Sequence, residues 1–179
     1  GNIQNDLIPA AAVCIQRGYS FRDVEIICKK YYGLPHRREL IRVINGITYI
    51  NDSAATVPES ILYCIDNYKG KIHLISGGTD KKLETGTFLS AYKRVSSLHL
   101  LGGTLTERLI PSLSNSRIEF TGPYMTMENA LRAARECAEK DLGNGTASYV
   151  ILSPGAASFD LFLNEFERGN IFKELVLKL

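Results

Sequence analysis

From Lys71 onward the chain alternates short apolar runs with segments of helical period, and this alternation limits the fold more than any other feature. Lys71–Ser76, Leu98–Leu101 and Tyr149–Leu152 have strand length and are largely apolar. They are followed by Gly77-Gly78, Gly102-Gly103 and Ser153-Pro154-Gly155, residues that end strands and open loops. Phe88–Val95 and Met127–Leu142 carry apolar residues at helical spacing, the second with Ala130, Leu131, Ala134, Cys137 and Ala138 on one side. Arg117–Thr121 is expected to add a third strand to this series, before Tyr149–Leu152. Strands of this kind are buried on both faces and belong to a mainly parallel sheet with helices on both faces. Right-handed crossovers then leave few topologies.

Before this region the period differs. Leu40–Ile44 and Ile47–Asn51 flank Asn45-Gly46, so an initial antiparallel β-hairpin is expected, because a type I′ turn needs positive φ at both central residues. After it, Thr56 and Glu59 have capping-box spacing and Pro58 suits a first helical turn, with Ile61, Leu62 and Ile65 inward and Gly70 at the end. Thr104 and Glu107 repeat that spacing. Residues 1–33 read as two helices. Leu7, Ile8, Ala11, Ala12 and Ile15 precede Gly18, and Val24, Ile27 and Cys28 follow Ser20. Gly33-Leu34-Pro35 is a breaker, so 1–33 and 34–179 are expected to be separate domains.

Bulk properties exclude several classes. The formal net charge of +2 gives no electrostatic case for nucleic acid or an anionic membrane surface. No apolar run approaches the roughly 20 residues that span a bilayer, and the first residues lack the pattern of a signal peptide. A cytoplasmic location is expected. Cys14, Cys28, Cys64 and Cys137 form no Cys-x-x-Cys pair and read as buried free thiols rather than metal ligands.

Ligands of open α/β sheets bind beyond the carboxyl ends of the strands. Here those ends are Asn51-Asp52-Ser53, Ser76-Gly77-Gly78, Leu101-Gly102-Gly103 and Leu152-Ser153-Pro154. A lone Gly-Gly pair is ordinary turn chemistry, but several on one edge point to a site. Thr56 reads equally as a helix cap and as a hydroxyl donor to an anion. Lys81 and Lys82 are loop lysines. Ser158 and Asp160 can cap the last helix, or Ser158 can meet a carboxylate. His36-Arg37 is a surface pair or a clasp for phosphate or ribose. The chain has no Gly-x-x-x-x-Gly-Lys-Ser/Thr phosphate loop, no His-Glu-x-x-His and no Gly-x-Ser-x-Gly. It therefore lacks a complete nucleotide-hydrolysing apparatus.

Four segments together resemble the Mur ligases: Gly33-Leu34-Pro35-His36-Arg37, Ile50-Asn51-Asp52-Ser53-Ala54-Ala55-Thr56, Ser153-Pro154-Gly155-Ala156-Ala157-Ser158-Phe159-Asp160 and Phe166-Glu167-Arg168-Gly169-Asn170. The resemblance covers essentially the whole chain. It implies a Rossmann-like carboxyl-terminal domain preceded by the last helices of a central ATP-binding domain. An upstream part would hold the phosphate loop, the Mg²⁺ ligands and a modified lysine. The implied reaction adds D-glutamate to UDP-N-acetylmuramoyl-L-alanine with ATP and Mg²⁺ through an acyl phosphate, in a monomer. The chain alone is expected to be inactive, with no catalytic residue and no metal ligand of its own. By the same resemblance Asn2, Asn5, His36, Arg37 and Asp52 fall on the ATP side, and Thr56, Lys81, Ser158 and Phe166 on the D-glutamate side. Three departures stand out. The aromatic is Phe166, shifted by one position, with Glu165 in its usual place. Ala54 replaces a common lysine, and Gly77-Gly78-Thr79-Asp80-Lys81 replaces the commoner Gly-Gly-Asp-Gly-Lys, which leaves Lys81 and Lys82 both open as the contact.

Overall fold

The computed structural model describes residues 3–142 and 145–179. It divides into two units, Gly1–Pro35 and His36–Leu179. The first holds two helices, α1 (Ile3–Gln16) and α2 (Phe21–Lys30). Gly18, at φ +92°, turns the chain between them, and the Ser20 hydroxyl caps α2 by accepting the Asp23 amide at 3.1 Å. Leu7, Ala11 and Cys14 of α1 face Val24, Ile27 and Cys28 of α2 across an apolar groove.

The second unit contains β1 (Glu39–Ile44), β2 (Ile47–Asn51), α3 (Pro58–Ile65), β3 (Lys71–Gly77), α4 (Thr85–Tyr92), β4 (Ser97–Leu101), α5 (Thr104–Asn115), β5 (Thr121–Tyr124), α6 (Met127–Lys140), β6 (Ser148–Leu152) and α7 (Glu165–Leu177). The strands form one sheet in the order β1-β2-β6-β3-β4-β5. Of the strand pairs among the described residues only β1–β2 is antiparallel, and Asn45 (φ +50°) and Gly46 (φ +83°) close it as the hairpin chemistry requires. The α/β fold is therefore the expected one.

Alternation along the strands splits the core in two. Leu74 and Ile75 are neighbours in β3, both fully buried, on opposite faces. Leu74 joins Ile50, Leu98, Leu100 and Ile151 under α3, α4 and α5, where Ile61, Phe88 and Leu109 meet them. Ile75 joins Ile47, Tyr49, Val150 and Leu152 under α6 and α7, where Leu131, Ala134, Phe172 and Val176 meet them. Each fully buried aliphatic side chain contributes about 1.5–3 kcal/mol of transfer free energy.

Several local expectations need correction. The edge strand is Thr121–Tyr124, not Arg117–Thr121. Ile118 and Phe120 pack against the first core from a loop, and Gly122-Pro123 is tolerated because β5 has a neighbour on one side only. α4 begins at Thr85 rather than near Phe88. Thr56 is not the cap of α3: Val57 occupies that position without a side-chain bond, while Pro58 takes the first turn. The reason is the Ala55 carbonyl, which accepts the Gly155 amide at 2.9 Å and holds the chain extended one residue further. Gly103, not Thr104, is the N-cap of α5, and Asn164, not Ser158 or Asp160, caps α7. Of the cysteines only Cys64 is buried; Cys14, Cys28 and Cys137 are half-buried. No described helix is long and apolar enough to cross a membrane.

Candidate ligand site at the carboxyl edge of the sheet

β3 and β6 are parallel neighbours whose chains leave in opposite directions. β3 runs on to α4 on one face, and β6 leads to α7 on the other. The divergence opens a crevice at the carboxyl ends, where α/β sheets take their ligands. Three loops are laced together across it. The Gly77 amide donates to the Pro154 carbonyl at 3.0 Å, and Thr79 to Ala157 at 2.9 Å. Gly155 donates to Ala55 at 2.9 Å, as above, and the Ser153 hydroxyl donates to Asp52 Oδ2 at 2.8 Å. Gly78 permits the closeness: at φ +134°, a Cβ there would come within 2.5 Å of the Ala157 oxygen.

Thr56, Lys81 and Ser158 all belong to these loops. Thr56 follows Ala55, Lys81 comes two residues after Thr79, and Ser158 follows Ala157, so each lies within two residues of a backbone bond in the lacing. Ser158 is only 2% exposed, yet its hydroxyl has no hydrogen-bond partner among the described residues. A buried hydroxyl without a partner costs about 1–3 kcal/mol, so such groups call for an explanation. Thr56 is half-buried and Lys81 exposed. The Lys82 backbone sits at φ +59°, its amide donating to Asp80 Oδ1 at 2.8 Å.

A second cluster forms where α7 crosses the end of β2. Asn51 is fully buried, and its Oδ1 accepts the Ser53 amide at 3.2 Å. Its Nδ2 therefore faces the Gly169 carbonyl at 3.2 Å and His36 Nδ1 at 2.9 Å. That geometry makes His36 Nδ1 an acceptor, so the neutral ring carries its proton on Nε2. His36 is held further by its amide, which donates to Glu39 Oε2 at 3.1 Å, and by the Phe166 ring edge-on at 5.8 Å. Phe166 thus packs edge-on against His36, while more than half of its surface stays exposed. Arg37 is exposed beside this cluster. Asp52 is buried and ties two loops, accepting the Arg38 amide at 3.1 Å as well as the Ser153 hydroxyl. Burial pushes its carboxyl above the usual range, against the lowering effect of those two bonds. Asn2 lies outside the described residues, and Asn5 is described only as backbone of α1.

Arg168 was given no role by the sequence. It is fully buried and donates to Ser53 Oγ (3.0 Å), the Ser53 carbonyl (2.8 Å), the Ala156 carbonyl (3.1 Å from each Nη) and the Ala157 carbonyl (3.2 Å). Every partner is a neutral oxygen. Burial lowers its pKa to about 10, which leaves it charged at neutral pH. A cation is therefore fixed under the loop that carries Ser158. A mid-helix arginine reads as solvated surface in a sequence, so its position in the Phe166–Asn170 motif was the only signal available.

Mur ligase carboxyl-terminal domains share this α/β fold, and the chain belongs to the Mur ligase family. The fold matches MurF from Acinetobacter baumannii (TM-score 0.60, 12% identity, 93% of this chain and 35% of that one). It also matches MurC from Thermotoga maritima (TM-score 0.57, 14% identity, 93% and 36%). Among curated relatives, the UDP-N-acetylmuramoylalanine–D-glutamate ligase of Treponema pallidum is 38% identical over 83% of this chain and 27% of its own length. The enzyme of the same name from Roseiflexus is 34% identical over 98% of this chain and 37% of its own length. The chain therefore spans roughly a third of the curated relatives it matches. No family profile matches it.

Proposed function

We propose that the chain is the amino-acid-binding carboxyl-terminal domain of a ligase that joins D-glutamate to UDP-N-acetylmuramoyl-L-alanine, with residues 1–33 as terminal helices of the central ATP-binding domain. The reading rests chiefly on the Ser158 hydroxyl, buried and without a partner among the described residues, in the crevice that the loops of Thr56 and Lys81 also border. Its support from outside the structure is the name shared by the relatives above.

In this reading the dianionic amino acid is held by two hydroxyls, from Thr56 and Ser158, and by one ammonium. Lys81 is the better candidate for that ammonium. It has no ion pair among the described residues, whereas the Lys82 backbone is tied into the Asp80 turn and its charge acts on Asp80. The buried Arg168 guanidinium adds positive potential beneath the site. Phe166, packed against His36, is assigned as the aromatic neighbour of the amino acid. Held this way, the amino group is oriented for attack on an activated carboxyl group brought by the rest of the enzyme, which is catalysis by positioning. ATP would supply the phosphoryl group for that activation. The His36 Nε2–H, as donor, and the Arg37 guanidinium suit its anionic or ribose groups, with Asp52 buttressing their turn through the Arg38 amide. Asn2 and Asn5 are assigned to its adenine side. Mg²⁺ is assigned, with the phosphates of ATP, mainly to the central domain.

Titration of the ¹⁵N-labelled chain with D-glutamate, L-glutamate and L-lysine tests the reading. D-Glutamate is expected to shift the amides of Thr56, Lys81 and Ser158. A response to L-lysine or L-glutamate instead points to a sister ligase or a folylpolyglutamate synthase, and silence with all three points to a non-catalytic module. The isolated chain is expected to release no phosphate with all substrates present, and turnover would contradict that.

A further inference from the structure

The segment between β3 and α4 carries both lysines, and one side chain from α5 holds it from both ends. Arg108 Nε donates to Asp80 Oδ2 at 2.8 Å, and Nη2 donates to Asp80 Oδ1 at 3.0 Å, a bidentate fork. The same Nη2 reaches the Leu83 carbonyl at 2.8 Å, and Nη1 reaches the Thr85 hydroxyl at 2.9 Å. Its acceptors thus lie on residue 80, before the two lysines, and on residues 83 and 85, after them. Asp80 is held from its other side too, its amide donating to the Thr104 hydroxyl at 3.0 Å. Its Oδ1 accepts the Lys82 amide, which keeps Lys82 in a left-handed conformation that a lysine does not favour alone.

Charge gives the arrangement a second consequence. Asp80 directly precedes the lysine pair, and an unpaired carboxylate there would attract Lys81 and compete with an anionic ligand. The Arg108 fork takes up both of its oxygens, and Lys81 is left without an ion pair among the described residues. The same fork is the main cause of the low Asp80 pKa, so the pair stays ionised over the working pH range.

We infer that Arg108 is a positioning residue for ligand binding: it shapes the turn of Lys81 and Lys82 and neutralises Asp80, so that Lys81 is presented to the ligand's carboxylate. This rests on the D-glutamate reading above. It goes beyond that reading by naming a residue on α5 that touches no ligand and sets affinity through the lysine loop.

Amide hydrogen exchange and D-glutamate titration of the 179-residue chain test it together, with Arg108→Gln and the more conservative Arg108→Lys. In Arg108→Gln the Lys82 amide is expected to lose protection while amides of β3 and β6 keep theirs, and D-glutamate is expected to bind about tenfold more weakly, the effect of one lost ordering contribution. Arg108→Lys keeps a cation beside Asp80 but not the fork, and should fall between. Unchanged Lys82 exchange in Arg108→Gln overturns the proposal. So does unchanged D-glutamate affinity in a chain where Lys81→Ala abolishes binding, and that outcome leaves the pocket reading intact. If the unsubstituted chain itself shows no D-glutamate response, the pocket reading fails and the role of Arg108 fails with it.

Discussion

Arg168 grips Ser53 twice, through Nε to the hydroxyl at 3.0 Å and through Nη2 to the carbonyl at 2.8 Å, across 115 residues of sequence. With its bonds to Ala156 and Ala157, this side chain joins the loop after β2 to the loop after β6. Ala156 also packs into the first core, and the polar side of both loops depends on satisfied carbonyls.

Replacing Arg168 by methionine keeps the bulk and removes every donor. Three buried carbonyls and one hydroxyl then lose a partner; the Ala157 carbonyl keeps the Thr79 amide and the Ser53 hydroxyl keeps the Glu165 carbonyl, so the Ser53 and Ala156 carbonyls bear most of the cost, about 1–3 kcal/mol for each that stays dry. A total loss of about 3–5 kcal/mol in urea unfolding is expected, because water reaches some of them. Arg168→Lys should recover less than half, since an ammonium cannot span three carbonyls at once. A loss under 1 kcal/mol for Arg168→Met would show that the loops hold without it.

Gly169 lies inside α7, where alanine is ordinarily better by about 1 kcal/mol. Here the sign should reverse. A Cβ at Gly169 would overlap the His36 ring, and that ring is not free to move, being held by Asn51 and by its own backbone. Gly169→Ala is expected to destabilise by about 1–3 kcal/mol, the usual cost of overpacking, and to displace the His36 and Phe166 ring signals in the aromatic NMR spectrum. Stabilisation with unmoved rings would mean that the helix end relaxes freely.

The fold was largely legible because its signals are local and repeated. The hairpin rests on Asn45-Gly46, and the parallel strands on Lys71–Ser76, Leu98–Leu101 and Tyr149–Leu152, whose apolar runs have few alternatives. The edge strand was misplaced because Ile118 and Phe120 imitate strand alternation, while the paired residues include Gly122-Pro123, which local rules read as a turn. Thr56 and Thr104 fit the capping pattern, yet the positions were taken by Val57 and Gly103. Distant contacts decided both, Gly155 with Ala55 in one case and the Asp160 carboxylate with the Thr104 amide, at 2.8 Å, in the other. The same limit hid Arg108 and Arg168, whose roles exist only once loops far apart in sequence meet.

Under α6 a chain of polar side chains crosses the sheet. Thr121 Oγ1 lies 2.8 Å from His99 Nδ1, His99 Nε2 lies 2.7 Å from Ser97 Oγ, and Ser97 Oγ lies 2.8 Å from His73 Nδ1. His73 Nε2 faces Asp141 Oδ2 at 3.6 Å. One proton per link satisfies the chain if both rings are neutral and protonated on Nε2. Burial, and then the charge of His73, lowers the His99 pKa from 6.5 to about 4. Above pH 6.5 neither folded nor unfolded chain protonates this ring, so it adds no pH dependence. Between 6.5 and about 4 the unfolded chain gains a proton that the folded chain refuses, and stability falls by up to about 3 kcal/mol. The lowered His73 pKa acts in the same direction. Urea midpoints at pH 7, 5.5 and 4 should show this loss, and His99→Gln should flatten it. Equal slopes in both proteins would place the acid sensitivity elsewhere.

Ser158 and Ser153 make a matched pair of tests, since both are buried hydroxyls of one loop. Ser153 donates to the Asp52 carboxylate, so Ser153→Ala should cost about 1.5–3 kcal/mol of stability, the range for a bond to a charged group. Ser158 has no partner to lose among the described residues, so Ser158→Ala should leave stability unchanged or raise it by about 1 kcal/mol, by removing an unsatisfied polar atom. If the hydroxyl exists for a ligand, the same substitution should weaken D-glutamate binding about tenfold or more, because the ligand's carboxylate then loses a charge-assisted bond. Stability and affinity would thus move in opposite directions. A drop of 2 kcal/mol or so in stability with affinity intact would assign Ser158 to the fold alone, since that is what the loss of a structural hydrogen bond produces.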